Sequence, residues 1–373
     1  MPQAPDADEI VERLPDPVMV VAAGALTDPS DRTITFANAA AQTLLRIPAE
    51  GAPLVSVLRH PRLLEAVDQG LSDGGAEADY ETYGAQPRWW RALVRPLPDT
   101  ASGVRQVLLI LRDETDARRN ERMRADFLAN ASHELRTPLA SLAGFVETLQ
   151  GHAKDDPAAR DRFLGIMAAQ AGRMARLIDD LLSLSRIELN EHIPPSGEVD
   201  VKSAIHDVMS ASGPMHAQRG VRIAPNIPVS SPLVLGDRDQ VVQVLQNLID
   251  NAAKYSPDGG EVRVDVVEAP AGAAATPSRP GAARLSLLTP DAADGRYVVI
   301  RVSDDGPGIA RQNLPRLSER FYRVEGQKSG ERLGTGLGLA IVKHIVNRHR
   351  GGLVVESAEG QGTTFTAYFP VTH

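Results

Sequence analysis

Asp126-Phe127-Leu128-Ala129-Asn130-Ala131-Ser132-His133-Glu134-Leu135-Arg136-Thr137-Pro138-Leu139 decides how this chain is organised. Leu128, Leu135, Leu142 and Leu149 recur every seven residues. Ser132, Leu139 and Val146 each fall four residues after one of the first three. That alternation is the seam of a long amphipathic helix that packs against other helices. His133 lies one position past the Ser132 seam site, so its imidazole is expected to reach solvent. Glu134 is its neighbour. Pro138 lacks a backbone N–H and is expected to bend the helix just after the histidine. An accessible histidine, an adjacent carboxylate and a nearby bend in a dimer-type helix point to a phosphoryl acceptor. An exposed histidine alone is most often just a solvated side chain. What lifts this one out of that class lies far downstream.

The chain has 373 residues, enough for two or three domains. Its 42% hydrophobic and 24% charged content is that of a globular chain. A formal charge of −8 argues against direct nucleic-acid binding, because no basic field dominates. The absence of cysteine excludes disulfides, thiol catalysis, cysteine zinc sites and iron–sulfur clusters. No apolar run approaches the ~20 residues that span a bilayer, and residues 18–26 are too few. The chain as given is therefore expected to be cytoplasmic. Association with the inner face of a membrane would need an upstream anchor or a partner.

Before the helix, residues 1–7 read as loose and residues 8–14 as a short helix capped by Asp6 or Asp8. Strand patterns follow at residues 17–23, 32–37, 78–82, 88–95 and 104–111, with helical patterns at 38–45 and 61–71. A mixed α+β domain over residues 8–115 is indicated. His60 reads as a surface or capping residue rather than a haem ligand. Trp89 and Trp90 are adjacent, so they point to opposite faces of a strand, and at least one should be core.

After the helix, Asp155, Asp156 and Pro157 mark a turn and a new helix start. Phe163, Met167, Gln170, Met174, Leu177, Leu181 and Leu184 repeat the seam. Two such helices form an antiparallel hairpin over residues 116–192. One hairpin cannot bury both stripes, so two chains should pair into a four-helix bundle as a homodimer. Ile193-Pro194-Pro195-Ser196-Gly197 breaks the helix. Residues 193–373 then read as a third domain, with helices at 201–212 and 238–255 and strands at 221–227, 261–267, 296–304, 352–357 and 363–369. Residues 268–295, rich in Ala, Pro and Gly, read as a flexible insertion at the sheet edge. Its removal is expected to cost little.

Three clusters in this third domain carry chemistry. Asn247 and Asn251 share a helix face, with Lys254 and Tyr255 beside them. Paired amides and a cation suit metal-bridged phosphate, because Mg²⁺ prefers oxygen ligands and keeps most of its water. Asp304 ends a strand, where a carboxylate can accept from an exocyclic amino group. Gly306, Gly308 and Ile309 follow, and the glycines let the backbone approach a flat base. Gly334-Thr335-Gly336-Leu337-Gly338-Leu339 is a glycine-rich turn opening a helix, whose backbone N–H groups can bind phosphate oxygens. Neither a dinucleotide fold nor a Walker loop has this order.

Together these pieces resemble the sensor histidine kinases. His133-Glu134-Leu135-Arg136-Thr137-Pro138-Leu139 is similar to the H box, Asn247 to Asn251 to the N box, and Asp304-Asp305-Gly306-Pro307-Gly308 to the first glycine box. Arg320-Phe321-Tyr322-Arg323 resembles the F box, and Gly334 to Leu339 the second glycine box. The match runs in family order over residues ~116–373. The runs 183–188 and 341–351 look most like phosphate-regulon sensor kinases, and residues 8–115 resemble a PAS sensor domain. The resemblance implies an α/β sandwich of the Hsp90, gyrase and histidine-kinase type. It implies ATP held by the N-box helix and glycine-rich segments, with Tyr322 and Arg323 alongside. Asn251 would be a Mg²⁺ ligand, Asn247 and Lys254 would line the phosphates, and Asp304 would read adenine. Glu134 would be the general base for His133. A response-regulator aspartate would take the phosphoryl group, and Thr137 would position water for the regulator's dephosphorylation. Ser318, where many relatives are apolar, is expected to loosen packing before the F box. Two other readings remain at this point: a nucleotide-binding sensory scaffold without turnover, and a gyrase- or Hsp90-type ATPase.

Overall fold

The computed structural model describes residues 7–23, 31–47, 51–82, 87–217, 219–229, 232–270, 281–290, 295–324 and 334–372. The chain divides into two compact units, Met1–Leu128 and Ala129–His373. Of the loose start expected for residues 1–7, residues 1–6, and with them the cap expected of Asp6, lie outside the described residues, and Ala7 already opens α1.

The first unit contains α1 (Ala7–Glu12), β1 (Val18–Ala23), β2 (Arg32–Ala37), α2 (Ala39–Leu45), α3 (Leu54–Val57), α4 (Pro61–Asp73), β3 (Ala76–Thr82), β4 (Arg88–Leu97) and β5 (Arg105–Asp113). The strands form one antiparallel sheet in the order β2-β1-β5-β4-β3. Alternate residues Val107, Leu109 and Leu111 of β5 are buried, as a half-buried strand requires. Leu54, Leu63 and Val67 from the helices close the same core. Full burial of each leucine contributes about 1.5–3 kcal/mol. Asn38 is fully buried and fully used. Its Oδ1 accepts from the N–H groups of Val18 and Ala41, both at 3.0 Å. Its Nδ2 donates to the carbonyls of Val11 at 3.1 Å and Asp16 at 3.0 Å. His60 takes the capping position before α4, but its side chain makes no cap bond. Its ring instead lies 5.2 Å from that of Tyr80. Trp90 is core, while Trp89 carries the Arg122 guanidinium 4.5 Å above its ring.

Two long helices follow, α5 (Thr115–Gln150) and α6 (Pro157–Leu189). Asp156 caps α6 through the Ala159 N–H at 3.0 Å, with Pro157 in the first turn. The rings of Phe145 and Phe163 lie 5.4 Å apart across the hairpin. α5 continues as helix through Pro138. Leu135, Leu142 and Leu149 are half-buried, whereas Leu139 (58% exposed) and Val146 (40% exposed) of the other row stand open. One hairpin thus covers one row of the seam and leaves the other bare. No helix among the described residues is long and apolar enough to cross a membrane.

The remainder contains β6 (Glu198–Asp200), α7 (Val201–Ala217), β7 (Arg222–Asn226), β8 (Leu233–Leu235), α8 (Arg238–Tyr255), β9 (Glu261–Pro270), β10 (Ala283–Leu288), β11 (Arg296–Asp304), α9 (Gly338–Arg348), β12 (Gly352–Ala358) and β13 (Gly362–Pro370). Six strands form a mixed sheet ordered β10-β12-β13-β11-β9-β7, and β6 pairs with β8. Among the described strands only β7 and β9 pair in parallel. The helices α8 and α9 pack on the sheet. His349, at the end of α9, is buried against the start of α8. Its Nδ1 pairs with the Ile345 carbonyl at 2.8 Å, and its Nε2 accepts from the Asp237 N–H at 3.0 Å. Burial holds this imidazole below its usual pKa, and the neutral ring is the form that serves both bonds.

The expected flexible insertion needs correction. Residues 268–270 continue β9, and residues 283–288 are β10, an edge strand paired with β12. Residues 271–280 and 291–294 lie outside the described residues. The alternation Arg284, Leu285, Ser286, Leu287 was hidden inside an Ala-, Pro- and Gly-rich stretch. Arg284 faces Glu356 across the ladder at 3.4 Å, and Glu356 is only 3% exposed. The insertion therefore neutralises a carboxylate buried in the sheet. Arg284→Ala should lower stability by about 2–3 kcal/mol, less than a fully buried pair because Arg284 reaches solvent. A thermal midpoint within 1 °C or so of wild type would show that the pair is dispensable.

Candidate functional site

A cavity of about 440 Å³ opens beside α8, within the range of small-molecule sites. Asn247, Asn251, Lys254 and Tyr255 reach it from α8, where their spacing of three and four places them on one face. Asp304 enters from the end of β11, with Gly308 and Ile309 just beyond it. Tyr322, Arg323, Gly334, Thr335, Gly336, Gly338 and Leu339 complete its wall. Gly306 and Leu337 do not line it, and Leu337 is fully buried beneath the loop.

The glycines answer first to the protein's own backbone. A Cβ on Gly308, which sits at φ +70°, would lie 2.0 Å from the Ala358 carbonyl oxygen. Gly336, at φ +75°, lies against Phe321, whose N–H donates to the Gly336 carbonyl at 2.9 Å. Phe321 itself takes the left-handed conformation at φ 63°, rare for an aromatic residue. The F box and the second glycine box are thus clasped together. Ser318 is half-buried and directly follows buried Leu314 and Leu317, so this segment stays anchored.

Inside the cavity, Asp304 Oδ1 accepts from the Gly306 N–H at 2.9 Å. Asn247 donates to the Gln243 carbonyl at 3.0 Å and abuts Gly338. Lys254 Nζ reaches the position facing Gly334. The Asn251 amide makes no hydrogen bond among the described residues. No cluster of three or more His, Asp or Glu among them is placed to hold a metal. One amide oxygen on the wall of a solvent-open cavity fits a mostly hydrated Mg²⁺.

The helix α6 supplies cavity residues that the sequence reading missed: Arg173, Arg176, Asp179 and Asp180. Thr335 Oγ1 donates to Asp180 Oδ2 at 2.7 Å. Burial, reinforced by Asp179, raises the Asp180 carboxyl above its usual pKa against the opposing pull of that bond. Further along the same face, Ser183 exchanges hydrogen bonds with Gln243, Glu188 pairs with Arg320 at 2.5 Å, and Glu191 accepts from Asn347. Gln243 and Asp250 were missed as well. Gln243 lies four residues before Asn247 and Asp250 three after it, and that polar stripe was the available signal.

His133, Glu134 and Thr137 lie outside the cavity. His133 is exposed, as its position beside the seam predicts. Glu134 pairs with Arg173 at 3.3 Å, so the residue next to the histidine is tied to a residue of the cavity wall. Thr137 Oγ1 donates to the His133 carbonyl at 3.3 Å.

Comparison with known proteins places this geometry. Residues 123–190 match the His Kinase A (phospho-acceptor) domain. Residues 236–373 match the histidine kinase-, DNA gyrase B- and HSP90-like ATPase domain. The chain is 33% identical over 364 residues to the phosphate regulon sensor protein PhoR of Pseudomonas aeruginosa, covering 96% of this chain and 74% of that protein. It is 34% identical over 280 residues to the sensor-like histidine kinase SenX3 of Mycolicibacterium smegmatis, covering 75% and 65% respectively. Against the sensor histidine kinase WalK of Bacillus subtilis it is 32% identical over 269 residues, covering 71% of this chain and 39% of the relative. The ATPase domain implies use of ATP. The chain belongs to the sensor histidine kinases, the protein-histidine kinases of two-component systems.

Proposed function

We propose that ATP binds in the α8 cavity and that His133 takes its γ-phosphoryl group. An imidazole nitrogen attacks the γ-phosphorus, the bond to the bridging oxygen breaks, and ADP leaves. The ring's other N–H needs an acceptor, and Glu134 is the adjacent carboxylate. Mg²⁺ would neutralise charge on the phosphates, and Asn251 would hold it. Lys254 and Asn247 line the phosphate end, and Asp304 takes the adenine amino group. The carrying observation is an exposed histidine on a phospho-acceptor helix whose neighbour is tied through Arg173 to the cavity wall. Incubation with γ-labelled ATP, followed by acid treatment, tests it: the label should be lost in acid.

The bare row of the α5–α6 seam supports a homodimer, formed as a four-helix bundle. A response-regulator aspartate is the proposed recipient of the phosphoryl group. For the first unit we propose a PAS-like sensor domain over residues 8–115, supported by its five-stranded antiparallel sheet with helices between β2 and β3. Residues 116–192 would be the phosphotransfer hairpin and 193–373 the catalytic domain. The relative called a phosphate regulon sensor protein supports phosphate-responsive signalling here.

Thr137 is the proposed phosphatase residue, and its bond to the His133 carbonyl is the competing structural role. Thr137→Ala should still phosphorylate His133 and pass the group on. It should lose most dephosphorylation of purified phospho-regulator, assayed with ADP and no ATP. Thr137→Ser should lose less. Wild-type rates in both variants would reduce Thr137 to its helix bond.

A further inference from the structure

The catalytic loop and α6 meet at an unusual point. Thr335 belongs to the glycine-rich turn that opens α9, where backbone N–H groups suit phosphate oxygens. Its hydroxyl is already committed to a carboxylate, Asp180 Oδ2, at 2.7 Å. The same hydroxyl accepts from the Leu337 N–H at 3.3 Å. An anionic side chain from α6 therefore rests on the loop, inside the wall of the cavity. It is held there by contacts at the C-terminal end of α6 and just beyond it. Glu188 pairs with Arg320 at 2.5 Å, Asn347 donates to Glu191 at 2.5 Å, and His344 lies 3.3 Å from Glu191. Asp180, Ser183 and Ile187 follow the three- and four-residue spacing of one helix face, Leu184 and Ile187 are buried along it, and Glu191 follows just past the helix end.

We propose that Asp180 is an internal competitor of the nucleotide phosphates for the Thr335 loop. This rests on the reading of the cavity as the ATP site. A carboxylate and a phosphate repel one another and claim the same donor, so phosphate-bearing ligands bind as α6 gives up its bond. Adenosine carries no phosphate and is indifferent to Asp180. By linkage, nucleotide must loosen the α6 contact by the same factor by which Asp180 weakens nucleotide binding. The identity of the α6 side chain then sets affinity for the phosphate end of the ligand and leaves affinity for the base alone.

Calorimetric titration of the full chain with adenosine, ADP and a non-hydrolysable ATP analogue, with Mg²⁺ present, tests this. Asp180→Asn and Asp180→Ala should each bind ADP and the analogue on the order of tenfold more tightly, with adenosine unchanged. Glu188→Gln, which loosens α6 outside the cavity, should move ADP affinity in the same direction by less. Unchanged or weaker ADP binding in both Asp180 variants overturns the proposal, as does an equal gain for adenosine. Wild-type protein that binds none of the three ligands removes the nucleotide reading and this proposal with it. Adenosine and ADP binding that ignores Asp180 removes this proposal only. The reciprocal effect is readable because the chain has no cysteine. In a Glu191→Cys, Asn347→Cys double variant, ADP with Mg²⁺ should lower cross-linking by a short bis-maleimide, and adenosine should not. A yield indifferent to ADP overturns the proposal.

Discussion

His133→Gln should carry no acid-labile phosphate after incubation with γ-labelled ATP, yet bind nucleotide as wild type does. Glutamine has no nucleophilic ring nitrogen, so the loss is complete rather than partial. The substitution is structurally mild. His133 is exposed on α5, glutamine is a good helix former, and surface changes of this kind move stability by about 0.5 kcal/mol or less. Binding survives because the cavity is built from α8, the glycine segments and α6, without His133. Internal controls are present. His152, His192 and His206 are also exposed, so a chain that labels its histidines indiscriminately would keep most of its label. Acid-labile phosphate retained by the variant would place the acceptor elsewhere.

Asn251→Asp should weaken Mg–ATP binding by roughly 10–100-fold and slow autophosphorylation at least as much. The new carboxylate keeps the shape of the amide but adds a charge facing the polyphosphate. At ~6 Å and an effective dielectric constant of ~20, a unit charge costs about 2–3 kcal/mol against one phosphate charge. The helix barely registers the change, since Asn and Asp have similar propensities. Asn251 also makes no hydrogen bond among the described residues that the change could break. Titration with ATP across a Mg²⁺ series checks this. Affinity and Mg²⁺ dependence that match wild type would move the ligand assignment to another residue.

The motif residues were legible because their chemistry is local. Asn247 and Asn251 declare a helix face by spacing alone, and Asp304 announces itself as the polar end of an apolar strand. The α6–catalytic contact was not legible. Leu177 and Leu184 were read as seam positions, and nothing in a seven-residue repeat says that Asp180, between them, faces a loop 155 residues away. The same limit applies to Glu356. It lies in a strand whose other residues are nearly all buried, and its partner Arg284 sits in a segment whose composition imitates a linker. The glycines were read for their conformational freedom, but their protein neighbours were not legible. Gly308 yields space to the Ala358 carbonyl, a contact that exists only once the sheet has formed.

The edge position of β10 has a consequence for how the polypeptide is made. Its ladder partner, β12, is flanked by β13, which ends at Pro370, whereas β10 ends at Leu288. A ribosome adding ~5–20 residues per second needs roughly 4–16 s to travel between those points. For most of that interval, until β12 emerges, Leu285 and Leu287 have no strand to join, and Glu356 does not yet exist to meet Arg284. The nascent chain therefore carries an unpaired, partly apolar segment until β12 has been made, a natural landing place for a chaperone that binds extended apolar peptide.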